Sequence, residues 1–255
     1  VTGTGIAVGT TIAAILDPTH IRLSANATVA ANAALTFGSI NSLSANSNLL
    51  FSGTAGTEAT LEMAGSFTRA IGTATGQVQW TASGGFAASS SPLTVNLGGA
   101  GAAITWGSTT ATNTWAIGTG QLYLNSTNAL SDVTFVNPIN LNGGSRTITV
   151  FDNTTATTDY ATISGVISGS TGSALTKAGA GLLYLTGANT FSGNTTLSAG
   201  TLIVSSIGGG SVATSAFGDG SGILTVAGGT LVYVGDGETV ARKVNVTASA
   251  AIDSS

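Results

Sequence analysis

The sequence predicts an all-β chain wound as a right-handed, single-stranded parallel β-helix, a solenoid of roughly 12 coils. Three observations point there. Charged residues make up only 6% of the chain. Short alternations of apolar and polar residues recur along its length, and turns rich in Gly, Asn and Ser separate them at intervals near one coil.

The first observation concerns composition. Few ions usually means membrane burial or disorder, and neither fits. No stretch approaches the roughly 18 uninterrupted apolar residues that span a bilayer, since the best candidate, Ile6 to Leu16, contains Gly9, Thr10 and Thr11. Disordered chains combine low hydrophobicity with high net charge, whereas this one is 42% hydrophobic with a net charge of −4. What remains is a β-protein coated with Thr, Ser and Asn. Lys177 and Lys243 are the only lysines and Arg242-Lys243 the only adjacent basic pair, too few to displace counterions from nucleic acid or to dock on anionic lipid. β-Proteins inside cells use charge to keep sheet edges apart. A chain that omits it is expected to be extracellular. There is no Cys and no initiator Met, and residues 1–12 lack a basic leader segment. The chain is expected to be a processed mature protein or an excerpt of something longer.

The strands come next. Leu93–Leu97, Gln121–Leu124, Thr147–Val150, Leu182–Leu185, Thr201–Val204, Ile223–Val226 and Thr230–Val234 each alternate apolar with polar residues, so one face of each is buried and the other solvated. The turns favour a solenoid over a sandwich. Sandwich hairpins prefer two-residue Asn-Gly or Asp-Gly turns between long strands, but Asn142-Gly143 runs on into Gly144 between short strands. Asp219-Gly220 and Asp236-Gly237 recur 17 residues apart, as turns stacked on successive coils would. At roughly 20 residues per coil and about 4.8 Å between strands, the rod would be roughly 55–60 Å long. Identical side chains then lie above one another, where hydroxyl and amide ladders form and like charges repel. That accounts for the missing ions.

One segment carries a family likeness. Leu175-Thr176-Lys177, Gly179-x-Gly181, the strand Leu182–Leu185, then Thr186-Gly187-Ala188-Asn189-Thr190-Phe191-Ser192-Gly193, Thr195-Thr196-Leu197 and Gly200-Thr201-Leu202 follow in order. Residues 175–204 closely resemble the autotransporter-associated β-strand repeat. Ile163 to Gly169 looks like its usual lead-in, and Phe67 to Trp106 and Ile139 to Val150 resemble stretches found beside such repeats in long bacterial surface proteins. The resemblance implies a β-helix in a secreted or surface-displayed stalk. It implies that Gly179, Gly181, Gly187, Gly193 and Gly200 supply turns of positive φ, that Leu182, Leu185, Leu197 and Leu202 point inward, and that Asn189 joins an asparagine ladder or caps a turn. Ala248 to Ser255 lack the alternating aromatic strands of a translocator barrel. Residues 1–255 are expected to form a single β-helix domain, a segment or subunit of a larger assembly.

Candidate chemistry is sparse. Sugar hydrolysis needs two convergent carboxylates, and the ten acids are scattered; Asp152 and Asp159 flank the polar loop Asn153–Thr158. The densest ionisable cluster, Asp17-Pro18-Thr19-His20-Ile21-Arg22, holds the only His and reads as a surface turn with a local ion pair, without a nucleophile elbow beside it. Calcium at Asp219, Asp236 and Glu238 stays open, against ordinary Asp-Gly turn chemistry. Trp80, Trp106 and Trp115, with Phe86, would form either a sugar-stacking platform or core-capping aromatics. No catalytic, cofactor-binding or metal-ligating residue is assigned, and the chain is not read as an enzyme. The expectation is a rigid stalk or end-to-end filament, whose partners are copies of itself or the rest of a longer chain, because both ends resemble interrupted coils. The alternative is an adhesin binding a glycan or host protein through its lateral Thr/Asn/Trp face; a polysaccharide-degrading enzyme comes last.

Overall fold

The computed structural model describes residues 6, 7, 10–17, 20–25, 43, 45–107, 114, 115, 120–209 and 213–254, with backbone alone at 12–17, 20–23, 114 and 115. The chain divides into two compact units, Val1–Leu43 and Ser44–Ser255. In the first, β1 (Ile12–Asp17) and β2 (His20–Leu23) form an antiparallel hairpin that pairs Asp17 with His20.

The second unit is a parallel β-helix. Its early coils hold β3 (Leu49–Phe51), β4 (Thr60–Phe67), β5 (Val78–Trp80), β6 (Gly84–Val95), β7 (Ile104–Trp106) and β8 (Thr114–Trp115). The middle coils hold β9 (Leu122–Leu124), β10 (Val133–Phe135), β11 (Ile139–Asn140), β12 (Ser145–Val150), β13 (Ala161–Ile163) and β14 (Ile167–Ser168). The late coils hold β15 (Ala174–Ala178), β16 (Leu182–Leu185), β17 (Thr195–Leu197), β18 (Thr201–Val204), β19 (Leu224–Val226), β20 (Gly229–Tyr233), β21 (Val244–Val246) and β22 (Ala250–Ser254).

Two faces run the length of the stack. On one, β4, β6, β9, β12, β15, β17, β19 and β21 pair in parallel; on the other, β4 and β6 continue into β10, β13, β16, β18, β20 and β22. β4 and β6 bend from one face to the other, which joins both into one 14-stranded sheet. A third face stacks β7, β11 and β14. The described residues from Thr60 to Ser254 thus make eight rungs. Twenty-residue coils occur where corners are tight, as from Lys177 to Leu197 and from Leu224 to Val244. Elsewhere polar loops lengthen the coil, to 29 residues from Thr195 to Leu224 and to 38 from Gly85 to Tyr123, so rungs are fewer than a uniform coil implies.

The core is a set of inward rows. Leu93, Val133, Ala161, Leu183, Leu202 and Leu231 stack in register and are fully buried. Ile104, Ile139 and Ile167 do the same on the third face. At about 25 cal/mol per Å² of apolar surface, such rows supply most of the stabilisation. Period-two geometry corrects one expectation from the repeat: Leu183 and Leu185 point inward and Leu182 is half-buried, since positions three apart on a strand face opposite ways. Leu197 and Leu202 point inward as expected. Outward, Thr147, Thr176, Thr196, Thr225 and Asn245 form a polar row in register.

The glycines of the repeat divide into two kinds. Gly179 and Gly200 have φ of 78° and 69°, a region that residues with a Cβ avoid. Gly181, Gly187 and Gly193 do not have positive φ. A Cβ on them would strike the backbone carbonyls of Phe151, Gly165 and Ser173 on the preceding coil. Close approach between rungs, not turn geometry, selects those three.

Candidate interaction surface

Four of the scarce cations are buried or half-buried. Lys177 occupies the inward row between Ile148 and Leu197 and is 1% exposed. Its Nζ donates to the carbonyls of Gly179 (2.7 Å), Gly181 and, one rung on, Ala199 (3.0 Å). Burial pulls its pKa down to about 7, with Asp152 acting in the opposite direction. Arg146 donates to the Leu141 and Trp106 carbonyls, at 3.0 and 3.1 Å, with its guanidinium carbon 5.9 Å from the Trp106 ring centroid. Arg242 donates to Ile207, Gly222 and Phe217 at 3.0, 2.7 and 3.0 Å. Arg69 reaches the carbonyl of Ser47. Four of the six basic residues therefore bind backbone carbonyls where the chain turns, and burial lowers the pKa of Arg146 and Arg242. Sequence reasoning passed over this role. Its one signal was Lys177 at an inward position of an alternating run.

Asparagines serve other corners. Asn189, 1% exposed, accepts from the Ile167 N–H at 2.7 Å and donates to the Ala216 carbonyl at 2.8 Å, so it ties three successive coils together and is a cap. Asn137 closes a corner likewise, accepting from the Leu97 N–H at 2.7 Å and donating to Leu97 and Ala102 carbonyls at 3.0 Å.

The other sequence candidates are placed as follows. Trp80 and Trp106 are 2% and 0% exposed, and Phe86 is fully buried. Trp80 packs on Phe51 and Phe86 at centroid distances of 4.9 and 5.9 Å. These aromatics are core, which removes Trp80 and Trp106 from any lateral contact face; the side chain of Trp115 lies outside the described residues. Asp17, His20 and Arg22 fall on the β1–β2 hairpin, and their side chains, with Pro18 and Thr19, also lie outside. At the calcium candidates, the Asp219 carboxylate accepts from the Ser221 hydroxyl (2.6 Å) and N–H (3.0 Å). Glu238 accepts from the N–H groups of Ile207 and Gly208. Asp219 and Glu238 both act electrostatically on Arg242, so an arginine supplies the positive charge there. No cluster of three potential metal ligands occurs among the described residues.

The surface becomes distinctive at the corner between the two long faces. Late coils turn it tightly, through 179–181, 198–200 and 227–228, while coils of the middle carry loops at 125–132 and 151–160. These loops are zipped into a ridge. Asn125, fully buried, accepts from the Ala88 N–H at 3.1 Å and donates to the carbonyls of Ser131 (3.3 Å), Asp159 and Tyr160 (3.0 Å). Asn153 donates to Ala129 and Thr158 to Leu130, at 2.9 and 2.8 Å. Leu130 stands out at 54% exposed. Where the ridge ends above the tight corner of the next coils, a cleft of about 250 Å³ opens between Asp152, Asp159 and Tyr160 on one side and Leu182 and Thr201 on the other.

Comparison with known proteins bears on the late coils. Residues 175–204 match the family described as the passenger-associated-transport-repeat. Over 70 residues the chain is 49% identical to the adhesin BmaC autotransporter of Brucella suis biovar 1 (strain 1330), a match covering 28% of this chain and 2% of that protein. The chain thus spans a small fraction of that relative. No solved structure matches. In the structure the matched segment is β15 through β18, two consecutive rungs bonded on both sides to further rungs. The chain is accordingly a parallel β-solenoid, two of whose rungs match the passenger-associated-transport-repeat.

Proposed function

We propose that this chain is a length of rigid, non-enzymatic stalk in a bacterial surface passenger, displayed outside the cell. The observation that supports it is continuity: the matched repeat has no boundary in the structure, and both long faces run through it in unbroken register. The last described rung supports stacking onto a further rung. Val244, Val246 and Ile252 sit in the inward rows above Leu224, Val226 and Leu231. They are 36%, 54% and 47% exposed, where the residues below them are fully buried. That edge fits another parallel coil, from the same chain or a second copy. Sedimentation and negative-stain microscopy at rising concentration test the second copy: end-to-end oligomers abolished by Val246→Lys with Ile252→Lys support it, and a monomer at all concentrations overturns it. Labelling of intact cells by an antibody to the chain tests display.

A second reading, adhesion, draws on the adhesin relative and on the loop ridge, an irregular lateral surface. Binding of the purified chain to host cells or matrix tests it, and saturable binding that survives removal of end-to-end assembly separates it from the stalk.

A further inference from the structure

We propose that the cleft between Asp152, Tyr160, Leu182 and Thr201 holds a single uncharged pyranose residue of a glycan. The proposal gives the adhesive reading a site and a ligand class, and the stalk reading does not depend on it.

Size comes first. At about 250 Å³ the cleft falls below the roughly 300–1,000 Å³ that takes drug-sized ligands, which leaves room for one ring. Its walls are held in advance. Asp159 accepts from the Asn153 N–H at 2.7 Å, fixing the base of the 151–160 loop. The Tyr160 ring lies edge-on to Tyr184 at a centroid distance of 5.3 Å. A preformed wall lowers the ordering cost of a weak ligand.

The lining then matches a sugar's two characters. Tyr160 and Leu182 offer apolar surface to a C–H face. Asp152 accepts from neighbouring hydroxyls, and charge-assisted hydrogen bonds of this kind are the strong ones. Thr201 both donates and accepts. Charge narrows the class. Asp152 and Asp159 disfavour an anionic sugar, and Lys177, which feels Asp152, turns its Nζ to three backbone carbonyls and offers an anion nothing. With Asp159 engaged by the Asn153 N–H, Asp152 is the one carboxylate turned to the ligand, and a single solvent-accessible ion pair contributes too little to select a cationic sugar.

The test is titration of the purified chain with glucose, galactose and mannose by ligand-observed NMR, with glucosamine and galacturonate alongside. One neutral hexose is expected to bind with Kd on the order of 1–10 mM. Asp152→Ala is expected to weaken it at least about tenfold with an unchanged melting profile; Thr201→Val provides the same readout if Asp152→Ala fails to fold. No saturation by any neutral hexose at about 100 mM, equal binding to the variants, or preference for glucosamine or galacturonate overturns the proposal. If cells bind the chain and Asp152→Ala equally, the cleft falls and adhesion stands. If neither sugar nor cell binds, both fall.

Discussion

A lysine in a core row is costly unless its ammonium finds partners, and Lys177 finds three carbonyls on two successive rungs. The cost is nevertheless visible in its pKa of about 7, against an ordinary 10.5. Between those values the unfolded chain holds the proton and the folded chain releases it. Stability therefore rises with pH across that window, by at most about 1.4 kcal/mol per unit, and is independent of this group below about pH 6. Urea unfolding at intervals from pH 6 to 10 checks it: the rise is expected in the wild type and absent in Lys177→Met, and parallel curves for the two would refute the assignment. The glycines give a second prediction at this scale. Gly193→Ala must drive a Cβ into the Ser173 carbonyl of the coil below, with an expected loss of about 2–4 kcal/mol. Gly101, at φ 63° with nothing within 4 Å, should lose only about 1 kcal/mol on the same change. Thermal melts of the two variants rank rung contact against backbone strain, and equal losses would mean that rung spacing yields more readily than the packing suggests.

Among the elements, the short strands were the legible part, because alternation is imposed by burial on one face alone. Leu182–Leu185 and Thr201–Val204 fall where the pattern puts them, and Thr230–Val234 is displaced by one residue. The twelve-residue β6 was legible only at its end, Leu93 to Val95, since Gly84 to Ala88 is buried without alternation. Loop lengths left no comparable trace. The 125–132 and 151–160 loops are polar like every other turn, and what orders them is the buried amide of Asn125, indistinguishable in sequence from the many exposed asparagines. The cleft they frame was correspondingly out of reach, although Asp152 and Asp159 already marked one loop. The amide can be tested. Asn125→Asp replaces a donor aimed at three carbonyls with a carboxylate, and is expected to lose about 2–4 kcal/mol. Hydrogen exchange should show faster amides in 125–132 and 151–160 while β15 to β20 stay protected. Uniform acceleration across all rungs would show that the ridge and the stack unfold as one.

At the scale of the whole stack, a solenoid's stability is close to a sum over neighbouring rungs. The sequence spacing of equivalent residues is then the only thing a coil must preserve. Thr201 lies opposite Thr230 on one face and Thr195 opposite Leu224 on the other, so this coil is 29 residues long on both. Excising residues 201–229 joins Gly200 to Thr230 with every inward row still in phase: Leu231 takes the place of Leu202 above Leu183. The variant gives up the bonds of Asn189 to Ala216 and of Arg242 to Ile207, Phe217 and Gly222. It is expected to melt at a lower temperature, yet cooperatively and with β-type circular dichroism, in a stack shorter by about 4.8 Å. Excising 201–228 instead leaves one residue too many and turns Leu231 outward, since a one-residue slip exchanges the two faces of a strand. That variant is expected to lose the cooperative transition. Equal behaviour of the two deletions would show that the corners absorb a residue freely, and that the rows, not the coil length, set the register.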